Sequence, residues 1–322
     1  MTAPLRVALV GAGMMGSLHA RVLAQHQDTE LATIVDPDRA RGEALAELWD
    51  STWVADIDSF ESFDAVVVAS PTQFHVPWAL RSIASGRPTL VEKPLAPTLA
   101  ETVELLDAAE AADVPIMCGL LERYNPAVKA MFEIIEAPLH LSVVRHSPHT
   151  PRISTGVASD LSIHDIDLAV RVAGMAPVGV SAQISACHPD SPVGSEDIAE
   201  VSLRFESGLL ASLSASRVSQ RKIRTLQVAE LSRLIEVDLL RRDLTVYHHV
   251  GADFLPGRDT GYRQQTVIDI PVISDSREPL ASQLDRFVGL VRGELDKDEE
   301  RVSILPPHTV LDQVMKSAAV GV

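Results

Sequence analysis

A histidine and several carboxylates lie close together in residues 160–168, where apolar residues recur with helical spacing. Asp160 and His164 are four residues apart and would share one helix face, and Asp167 follows about one turn later. Imidazole titrates near neutral pH, and a neighbouring carboxylate can orient it and raise its basicity. The pattern predicts a general base for an alcohol; a capped helix with a solvent-facing His–Asp pair is the alternative.

Lys93 ends a short apolar run in the sequence Glu92-Lys93-Pro94. A lysine at the carboxyl edge of a buried strand is unusual for packing. Its ammonium group can hydrogen-bond a substrate oxygen and stabilise the alkoxide that develops as hydride leaves the carbon. For an isolated residue of this type, an ordinary surface lysine is the alternative interpretation.

A glycine-rich turn directly follows the first predicted strand and opens the first predicted helix. It consists of Gly11, Gly13 and Gly16, with Met14 and Met15 between the last two glycines. Glycines at this spacing allow a tight turn and the close approach of a pyrophosphate. The helix N-terminus supplies unpaired N–H groups for the same phosphates. The turn therefore predicts dinucleotide binding; a glycine-rich turn without a ligand is the alternative.

Asp36 stands 20 residues after Gly16, at the end of the second predicted strand. A carboxylate at this position can accept hydrogen bonds from the adenosine ribose hydroxyls and would repel a 2′-phosphate. NAD is therefore predicted in preference to NADP, although Arg39 and Arg41 nearby leave dual use open. An Asp-Pro-Asp turn that caps the next helix is the alternative role for Asp36.

Polar residues also follow the next strong strand, at the edge where open α/β sheets bind ligands. The residues concerned are Ser70, Pro71, Thr72 and His75. Their hydroxyl and N–H groups are predicted to line the nicotinamide-ribose side of the dinucleotide. A plain strand-to-helix turn with Ser and Thr as helix caps is the alternative.

The elements that would position these residues alternate between β-branched runs and Ala/Leu-rich amphipathic stretches up to about residue 120. Such alternation predicts βαβ units on a parallel sheet, which is a doubly wound Rossmann domain. The predicted strands are residues 6–10, 31–35, 52–54, 65–69, 89–91 and 114–118, and the predicted helices are residues 14–25, 39–48, 74–85 and 98–111.

After residue 124 the rhythm changes to strand after strand with few helices, which predicts an α+β domain with a large, open, mostly antiparallel sheet. Helices are predicted at residues 126–136 and 160–172, with strands at 139–145 and between 177 and 271. Two tail helices, 279–293 and 309–319, flank a charged stretch at 294–301 that is predicted to be a loop. We therefore predict domains at 1–121 and 122–322.

The charge balance argues against two classes of partner. The chain has 322 residues, with 28 Lys and Arg against 44 Asp and Glu, for a formal net charge of −16. Such a protein repels a phosphate backbone and anionic lipid headgroups. Its apolar runs are far shorter than the roughly 20 residues needed to cross a bilayer. We therefore predict no nucleic-acid and no membrane partner.

The cysteines and histidines predict neither disulfides nor a metal site. Cys118 and Cys187 are the only cysteines and lie far apart. His146 and His149 are three residues apart, but no carboxylate or Cys cluster matches them at familiar ligand spacing. A strand pattern begins within about five residues of the N-terminus, which leaves no room for a signal peptide. These features predict a cytoplasmic protein.

Taken together and in this order, four motifs resemble those of the Gfo/Idh/MocA oxidoreductases, the group of glucose-fructose oxidoreductase and inositol dehydrogenase. They are Gly11-x-Gly13-x-x-Gly16-x-x-His19, Ser70-Pro71-Thr72-x-x-His75, Glu92-Lys93-Pro94 and Asp160-x-x-x-His164. The resemblance runs over essentially the whole chain. It implies an NAD(P)-dependent dehydrogenase acting on CH–OH groups. Residues of the second and third motifs would help to bind the cofactor, namely Ser70, Pro71, Thr72, His75, Glu92 and Lys93.

The same resemblance implies a catalytic trio and an assembly. His164 would act as acid and base, Asp160 would orient it, and Lys93 would polarise the reacting oxygen. The open sheet of the second domain often mediates oligomers in this family, which implies a homodimer or homotetramer, and the tail helices would pack near the first domain.

A narrower likeness runs from Glu122-Arg123-Tyr124-Asn125-Pro126 to residues 156–167. Between them it includes Arg145, Ser147, Pro148 and Pro151-Arg152-Ile153. It is similar to the UDP-N-acetylglucosamine 3-dehydrogenase branch and implies a nucleotide-sugar substrate, with Arg123, Asn125 and Arg152 in its binding site. The arginines would meet a diphosphate or a carboxylate. An inositol or free-sugar dehydrogenase is the nearest alternative. A non-catalytic NAD-sensing regulator is another, against which the complete trio argues.

Overall fold

The computed structural model describes residues 3–150, 155–252, 263–273, 275 and 277–319. Internal contacts divide the chain into two compact units. The first unit is Met1–Leu121 with Glu278–Asp312, and the second is Glu122–Arg277 with Gln313–Val322. Each unit is built on its own sheet.

The first unit contains a parallel sheet with the strand order β3-β2-β1-β4-β5-β6. Its strands are β1 (Leu5–Val10), β2 (Thr29–Val35), β3 (Thr52–Val54), β4 (Ala65–Val68), β5 (Thr89–Val91) and β6 (Ile116–Cys118). Its connecting helices are α1 (Met14–Gln25), α2 (Arg39–Leu48), α3 (His75–Ala84) and α4 (Leu99–Ala111). This order is that of a dinucleotide-binding Rossmann sheet, so the predicted fold class is confirmed for this half.

Burial explains why the central strands of this sheet read as continuous apolar runs. Every residue of β4 is buried, as are the last four residues of β1. Helices cover both faces of a parallel sheet, so its central strands need apolar side chains on both sides. The chain reverses its winding direction between β1 and β4, and the carboxyl ends of β1, β2, β4 and β5 share one edge of the sheet. Ligands of open α/β sheets bind at this edge.

The second unit contains an eight-stranded sheet with the order β14-β13-β12-β11-β7-β10-β9-β8. Its strands are β7 (His140–His146), β8 (Gly179–Ser185), β9 (Ile198–Arg204), β10 (Leu210–Ser216), β11 (Ile223–Ala229), β12 (Leu234–Asp238), β13 (Asp243–Ala252) and β14 (Arg263–Asp269). Strands β7 and β10 pair in parallel, and the other pairs are antiparallel. The predicted mostly antiparallel α+β architecture is confirmed.

One face of this sheet is covered within the unit by α5 (Pro126–Ile134) and α6 (Ile163–Ala173). Helix α5 packs on β12 and β13, and α6 packs on β10. Buried and exposed residues alternate along β9, as expected for a strand with one covered face and one open face. A left-handed Gly174 at φ 66° ends α6.

The tail forms three helices, α7 (Pro279–Val291), α8 (Lys297–Val302) and α9 (Leu305–Ala319). The predicted loop at 294–301 is therefore wrong from residue 297 onward. Asp296 caps α8 by accepting hydrogen bonds from Asp298 N at 2.8 Å and Glu299 N at 3.1 Å. Three acidic residues in the first turn stabilise α8, because their negative charges lie near the positive end of the helix dipole. Helix α8 has only six residues, too few to show the apolar periodicity that predicted the other helices.

Candidate functional site

The glycine-rich turn joins β1 to α1 in the first unit. A Cβ on Gly11, which has φ 102°, would lie 2.7 Å from the carbonyl oxygen of the residue after β4. A Cβ on Gly16 would lie 1.9 Å from Gly11 O, so only glycine fits there. Gly13 caps α1, and a Cβ on it would meet nothing within 4 Å. Met14 is exposed and Met15 half-buried. The approach to the helix N-terminus is open, as contact with a diphosphate requires.

Asp36 lies directly after β2 and is 5% exposed. Its Oδ2 accepts a hydrogen bond from Ala12 N at 2.7 Å, and its Oδ1 accepts one from Asp38 N at 2.8 Å. The carboxylate therefore ties the second strand to the glycine-rich turn. Each oxygen keeps lone-pair capacity for a further donor, so the group fits the predicted role of ribose acceptor. Arg41 Nη2 approaches Asp36 Oδ1 to 3.7 Å.

His75 connects the loop after β4 to the loop after β5. Its Nε2 lies 2.9 Å from Ser70 O, its Nδ1 lies 2.9 Å from Pro94 O, and the residue is 1% exposed. Ser70 Oγ is buried and has no hydrogen-bond partner among the described residues. Thr72 begins a 3₁₀ turn directly after the exposed Pro71. The loop thus presents an unsatisfied hydroxyl at the ligand-binding edge of the sheet, which fits a polar cofactor.

Glu92 is buried, and its carboxylate contacts the imidazole of His19 and the backbone N–H of Lys93. Its Oε1 lies 2.7 Å from His19 Nε2, and its Oε2 accepts a hydrogen bond from Lys93 N at 3.2 Å. Burial acts to raise the pKa of Glu92, but the hydrogen bond and charge of His19 and the charge of Lys93 lower it overall. Glu92 therefore fixes the backbone that carries Lys93. The half-buried Lys93 side chain follows β5 at the ligand-binding edge.

In the second unit, the predicted helix at 160–172 is helical throughout, but its first residues belong to a π-helical turn. Asp160 lies in a single π-helical turn, Ala158–Ser162, and α6 begins at Ile163. The first N–H groups of this segment bind Glu196, since Val157 N donates to Glu196 O at 3.0 Å and Ala158 N donates to Glu196 Oε1 at 2.9 Å. A residue far along the chain thus fixes where the helix begins, which local spacing does not reveal.

The carboxylate of Asp160 is paired with a buried arginine. Asp160 Oδ2 accepts a hydrogen bond from Arg217 Nη2 at 2.6 Å, and the same guanidinium donates to Thr155 O. Arg217 is 4% exposed, whereas the Asp160 side chain is 23% exposed. His164, in the first turn of α6, is half-buried. The Asp160 carboxylate is therefore fixed by Arg217 while part of its surface stays exposed.

Two of the predicted substrate-binding residues are engaged inside the second unit, and the third lies outside the described residues. Arg123 forms a bidentate pair with Asp167, with Nε to Oδ2 at 2.9 Å and Nη2 to Oδ1 at 2.6 Å. Asn125 is 1% exposed and caps α5 by accepting from Ala127 N at 3.2 Å. Arg152 is the residue that is not described. Contact of these three residues with substrate stays a prediction.

The sequence motifs include Arg145 but assign it no role, and the structure shows it as a buried arginine of the second unit. Arg145 is 1% exposed, and its Nε donates to both oxygens of Asp165, at 2.8 and 3.0 Å. Its Nη1 donates to Glu122 Oε1 at 2.9 Å. Burial opposes its charge, but the carboxylates of Asp165 and Glu122 raise its pKa overall. The signal was present, because Arg145 continues the buried alternation of Leu141 and Val143 in β7.

Two further features concern metals and membranes. Among the described residues, no three His, Cys, Asp or Glu side chains are grouped so that they could hold a metal ion. In the same part of the chain, no helix is both long and apolar enough to cross a membrane. The two histidines whose spacing was considered for a metal have other contacts. His149 stacks on His188 with ring centroids 3.7 Å apart, and His146 Nε2 lies 2.9 Å from Ser214 Oγ.

Comparison with known proteins identifies the family. Residues 5–120 match the model of an oxidoreductase family with an NAD-binding Rossmann fold. Residues 139–229 match the GFO/IDH/MocA C-terminal domain. The chain belongs to the Gfo/Idh/MocA oxidoreductase family. The predicted family, the NAD cofactor and dehydrogenase activity on CH–OH groups are thereby confirmed.

Several dehydrogenases of this family are similar to the chain. A UDP-N-acetylglucosamine 3-dehydrogenase of Acidithiobacillus ferrooxidans is 29% identical over 290 residues, 89% of this chain and 88% of that protein. A structure of the same enzyme superposes with a TM-score of 0.85 at 26% identity and covers 99% of both chains. An inositol 2-dehydrogenase of Corynebacterium glutamicum is 27% identical over 226 residues, 66% of this chain and 67% of that protein. A levoglucosan dehydrogenase in complex with NADH and levoglucosan shares the fold, with a TM-score of 0.81 at 20% identity over 99% of this chain and 98% of that one.

Substitutions at two glycines of this Gfo/Idh/MocA Rossmann domain should distinguish an effect on cofactor binding from an effect on folding. Gly13→Ala is expected to weaken NAD binding about tenfold or more with little change in Tm, because its methyl group fills only the open approach to α1. Gly16→Ala is expected to lower the free energy of unfolding by about 1–3 kcal/mol, because its methyl group overlaps Gly11 O. Thermal unfolding with and without NAD measures both effects. A Gly13→Ala protein with normal NAD affinity would contradict this account of the turn.

The choice between NAD and NADP is expected to depend on Asp36. Asp36→Ala should narrow the ratio of the two dissociation constants by about tenfold, since removing one like-charge contact of about 1.4 kcal/mol has that effect. Fluorescence titration of the two reduced cofactors measures the ratio. Asp28→Ala is the control, because Asp28 precedes β2 at the opposite end of the strand, where its Oδ1 accepts a hydrogen bond from Arg292 Nη2 at 2.8 Å, and it should leave the ratio unchanged. Equal affinities for the two cofactors in the unmodified protein would refute the role of Asp36.

Proposed function

We propose that the chain oxidises a secondary hydroxyl of a nucleotide-sugar to a ketone with NAD, in the manner of a 3-dehydrogenase. The observation that carries this proposal is the extent of its similarity to the UDP-N-acetylglucosamine 3-dehydrogenase. That similarity covers 89% of this chain, whereas the match to the inositol 2-dehydrogenase covers 66%. We propose that residues 1–121 serve the cofactor and residues 122–322 the substrate. A homodimer or homotetramer and a cytoplasmic location remain predictions.

In the proposed reaction, the turn from Gly11 to Gly16 and Asp36 would hold NAD, and the bound cofactor would supply the acceptor for a hydride from the carbinol carbon. Lys93 donates a hydrogen bond from its ammonium group to the reacting oxygen and stabilises the negative charge that develops there. The hydroxyl proton passes to the imidazole of His164, which must be neutral to accept it. The products are the ketone, the reduced cofactor and a protonated histidine, so charge and atoms balance.

We propose that Asp160 acts as a fixed anion beside this chemistry. Its pairing with Arg217 at 2.6 Å supports a carboxylate that stays ionised. Asp160 would then orient His164 without taking up the hydroxyl proton of the substrate itself. Glu92 supports Lys93 in a comparable way, because it accepts a hydrogen bond from the backbone N–H of Lys93. Each proposed reacting side chain therefore lies close in sequence to a carboxylate that has a buried partner, which is His19 for Glu92 and Arg217 for Asp160.

An inositol or free-sugar dehydrogenase is the second candidate, because several inositol 2-dehydrogenases match about two thirds of the chain. A substrate panel with NAD separates the two. NADH formation is measured with UDP-N-acetylglucosamine, N-acetylglucosamine and myo-inositol, together with identification of any nucleotide that copurifies. The proposal requires a kcat/KM for the nucleotide-sugar at least about tenfold above the others. Preference for myo-inositol would establish the second candidate.

A further inference from the structure

Three arginines lie at one end of three adjacent strands in the second unit. In β7, Arg145 pairs directly with Arg224 of β11 on one side and with Ala215 of β10 on the other. Arg217 follows two residues after Ala215. Residues that are directly opposite in a sheet project from the same face, so Arg145 and Arg224 are neighbours. Like charges placed opposite each other are destabilising unless anions compensate them.

Two of these arginines have close carboxylate partners. Arg145 binds both oxygens of Asp165 and one oxygen of Glu122. Arg217 binds Asp160 at 2.6 Å. Both are almost fully buried, at 1% and 4% exposure. Both guanidinium groups are therefore paired with carboxylates of the protein itself.

Arg224 differs from the other two arginines in its contacts and in its exposure. Its ion contact is a distance of 3.7 Å from Nη1 to Glu122 Oε1, the same oxygen that accepts from Arg145 at 2.9 Å. No residue in the described part of the chain accepts a hydrogen bond from the Arg224 guanidinium. Its side chain is 36% exposed, so a ligand can reach it. Burial and the charge of Arg145 lower the pKa of Arg224, while Glu122, Asp165 and Asp160 act in the opposite direction.

We propose that Arg224 binds an anionic oxygen group of the substrate, a phosphate or a carboxylate. A guanidinium with unused donors matches the planar geometry of such a group and can bind it through two hydrogen bonds. Arg123 differs from Arg224, because its Nε and Nη2 both donate to Asp167. This inference rests on the proposed function, since it concerns the sugar substrate of the same unit.

The test measures ligand affinity, so it needs no turnover. The NAD-loaded protein is titrated calorimetrically with UDP, D-glucuronate and D-glucose, as diphosphate, carboxylate and neutral probes. Arg224→Gln should weaken one of the two anions about 10–100-fold and leave glucose unchanged. Arg221→Gln is the matched control, because Arg221 is exposed and close in sequence. It should bind all three probes as the unmodified protein does.

Arg224→Lys keeps the charge but loses the planar fork, and its affinity for the anion should be intermediate. If Arg224→Gln does not fold, as judged by Tm and NAD binding, the anion affinity of Arg224→Lys tests the proposal instead. The anion that responds identifies the group, diphosphate or carboxylate. Unchanged affinity of both anions in both variants, or no anion binding by the unmodified protein, would overturn the proposal. A protein whose anion affinity depends on Arg224 but that oxidises no sugar would overturn the proposed function alone.

Discussion

Lys93→Met is expected to lower kcat with the sugar substrate by about 10²–10³-fold while the affinity for NAD stays nearly unchanged. This is the usual loss when one preorganised donor to a developing oxyanion is removed. Lys93 follows β5 at the ligand-binding edge, and its backbone N–H is fixed by the buried Glu92. Methionine keeps the length and apolar stem of lysine and removes only the charge and its donors. Steady-state kinetics and NADH titration measure the two quantities separately.

The control for this experiment is Lys129→Met. Lys129 lies on α5, with a side chain 41% exposed and an ion pair of 3.4 Å to Asp275. Surface pairs of this kind contribute little to stability, so kcat and NAD affinity should both be unchanged. If Lys93→Met instead loses NAD binding and keeps its turnover number when saturated, Lys93 is a cofactor-positioning or structural residue and its proposed chemical role is wrong.

His164→Ala is expected to lower the rate of alcohol oxidation by about 10²–10⁴-fold, the range for loss of a general base. Because a histidine base must be neutral to accept a proton, the rate should rise with pH on the acidic side in the unmodified protein. The variant should lack that acidic limb. The pH dependence of kcat/KM for both proteins measures the effect.

His140→Ala is the matched control, since His140 is an exposed residue at the start of β7. It should keep both the rate and the acidic limb. A His164→Ala protein that also keeps both would show that Lys93 or a water molecule accepts the proton.

The parts of the site that could be predicted from the sequence are those built by neighbours along the chain. The turn from Gly11 to Gly16 needs only a strand before it and a helix after it, and α1 begins at Met14 as expected. Asp36 lies at the end of β2, where the fingerprint requires it. Strand ends of a parallel sheet meet at one edge, so the placement of Ser70 and Lys93 followed from the βαβ rhythm.

The ionic contacts of the second unit could not be predicted in the same way. Arg217 and Asp160 are 57 residues apart, and Arg123 and Asp167 are 44 apart. Nothing local to either residue indicates its partner, because the pairing depends on which strands become neighbours in the sheet. The partners also change the interpretation, since Arg123 was predicted to meet a ligand and the structure gives it a bidentate carboxylate inside the protein.

Helix capping explains why the loop prediction at 294–301 is wrong from residue 297 onward. The stretch 294–301 has a high charge density, which favours a solvated loop in a sequence interpretation. The structure shows that Asp296 accepts hydrogen bonds from two N–H groups and begins α8. Arg301 then binds both oxygens of Glu110, at 2.9 Å each. A short charged helix is stabilised here by its cap and by a contact distant in sequence.

Deuterium labelling follows the proposed hydride transfer from a sugar carbon to NAD at the level of the atom that moves. UDP-N-acetylglucosamine carrying deuterium at carbon 3 is incubated with the protein and NAD, and the reduced cofactor is analysed by mass spectrometry. Transfer of the hydride from carbon 3 should give reduced cofactor one mass unit heavier, formed together with the 3-keto sugar. Unlabelled reduced cofactor, or no reduction while myo-inositol is oxidised, would contradict it.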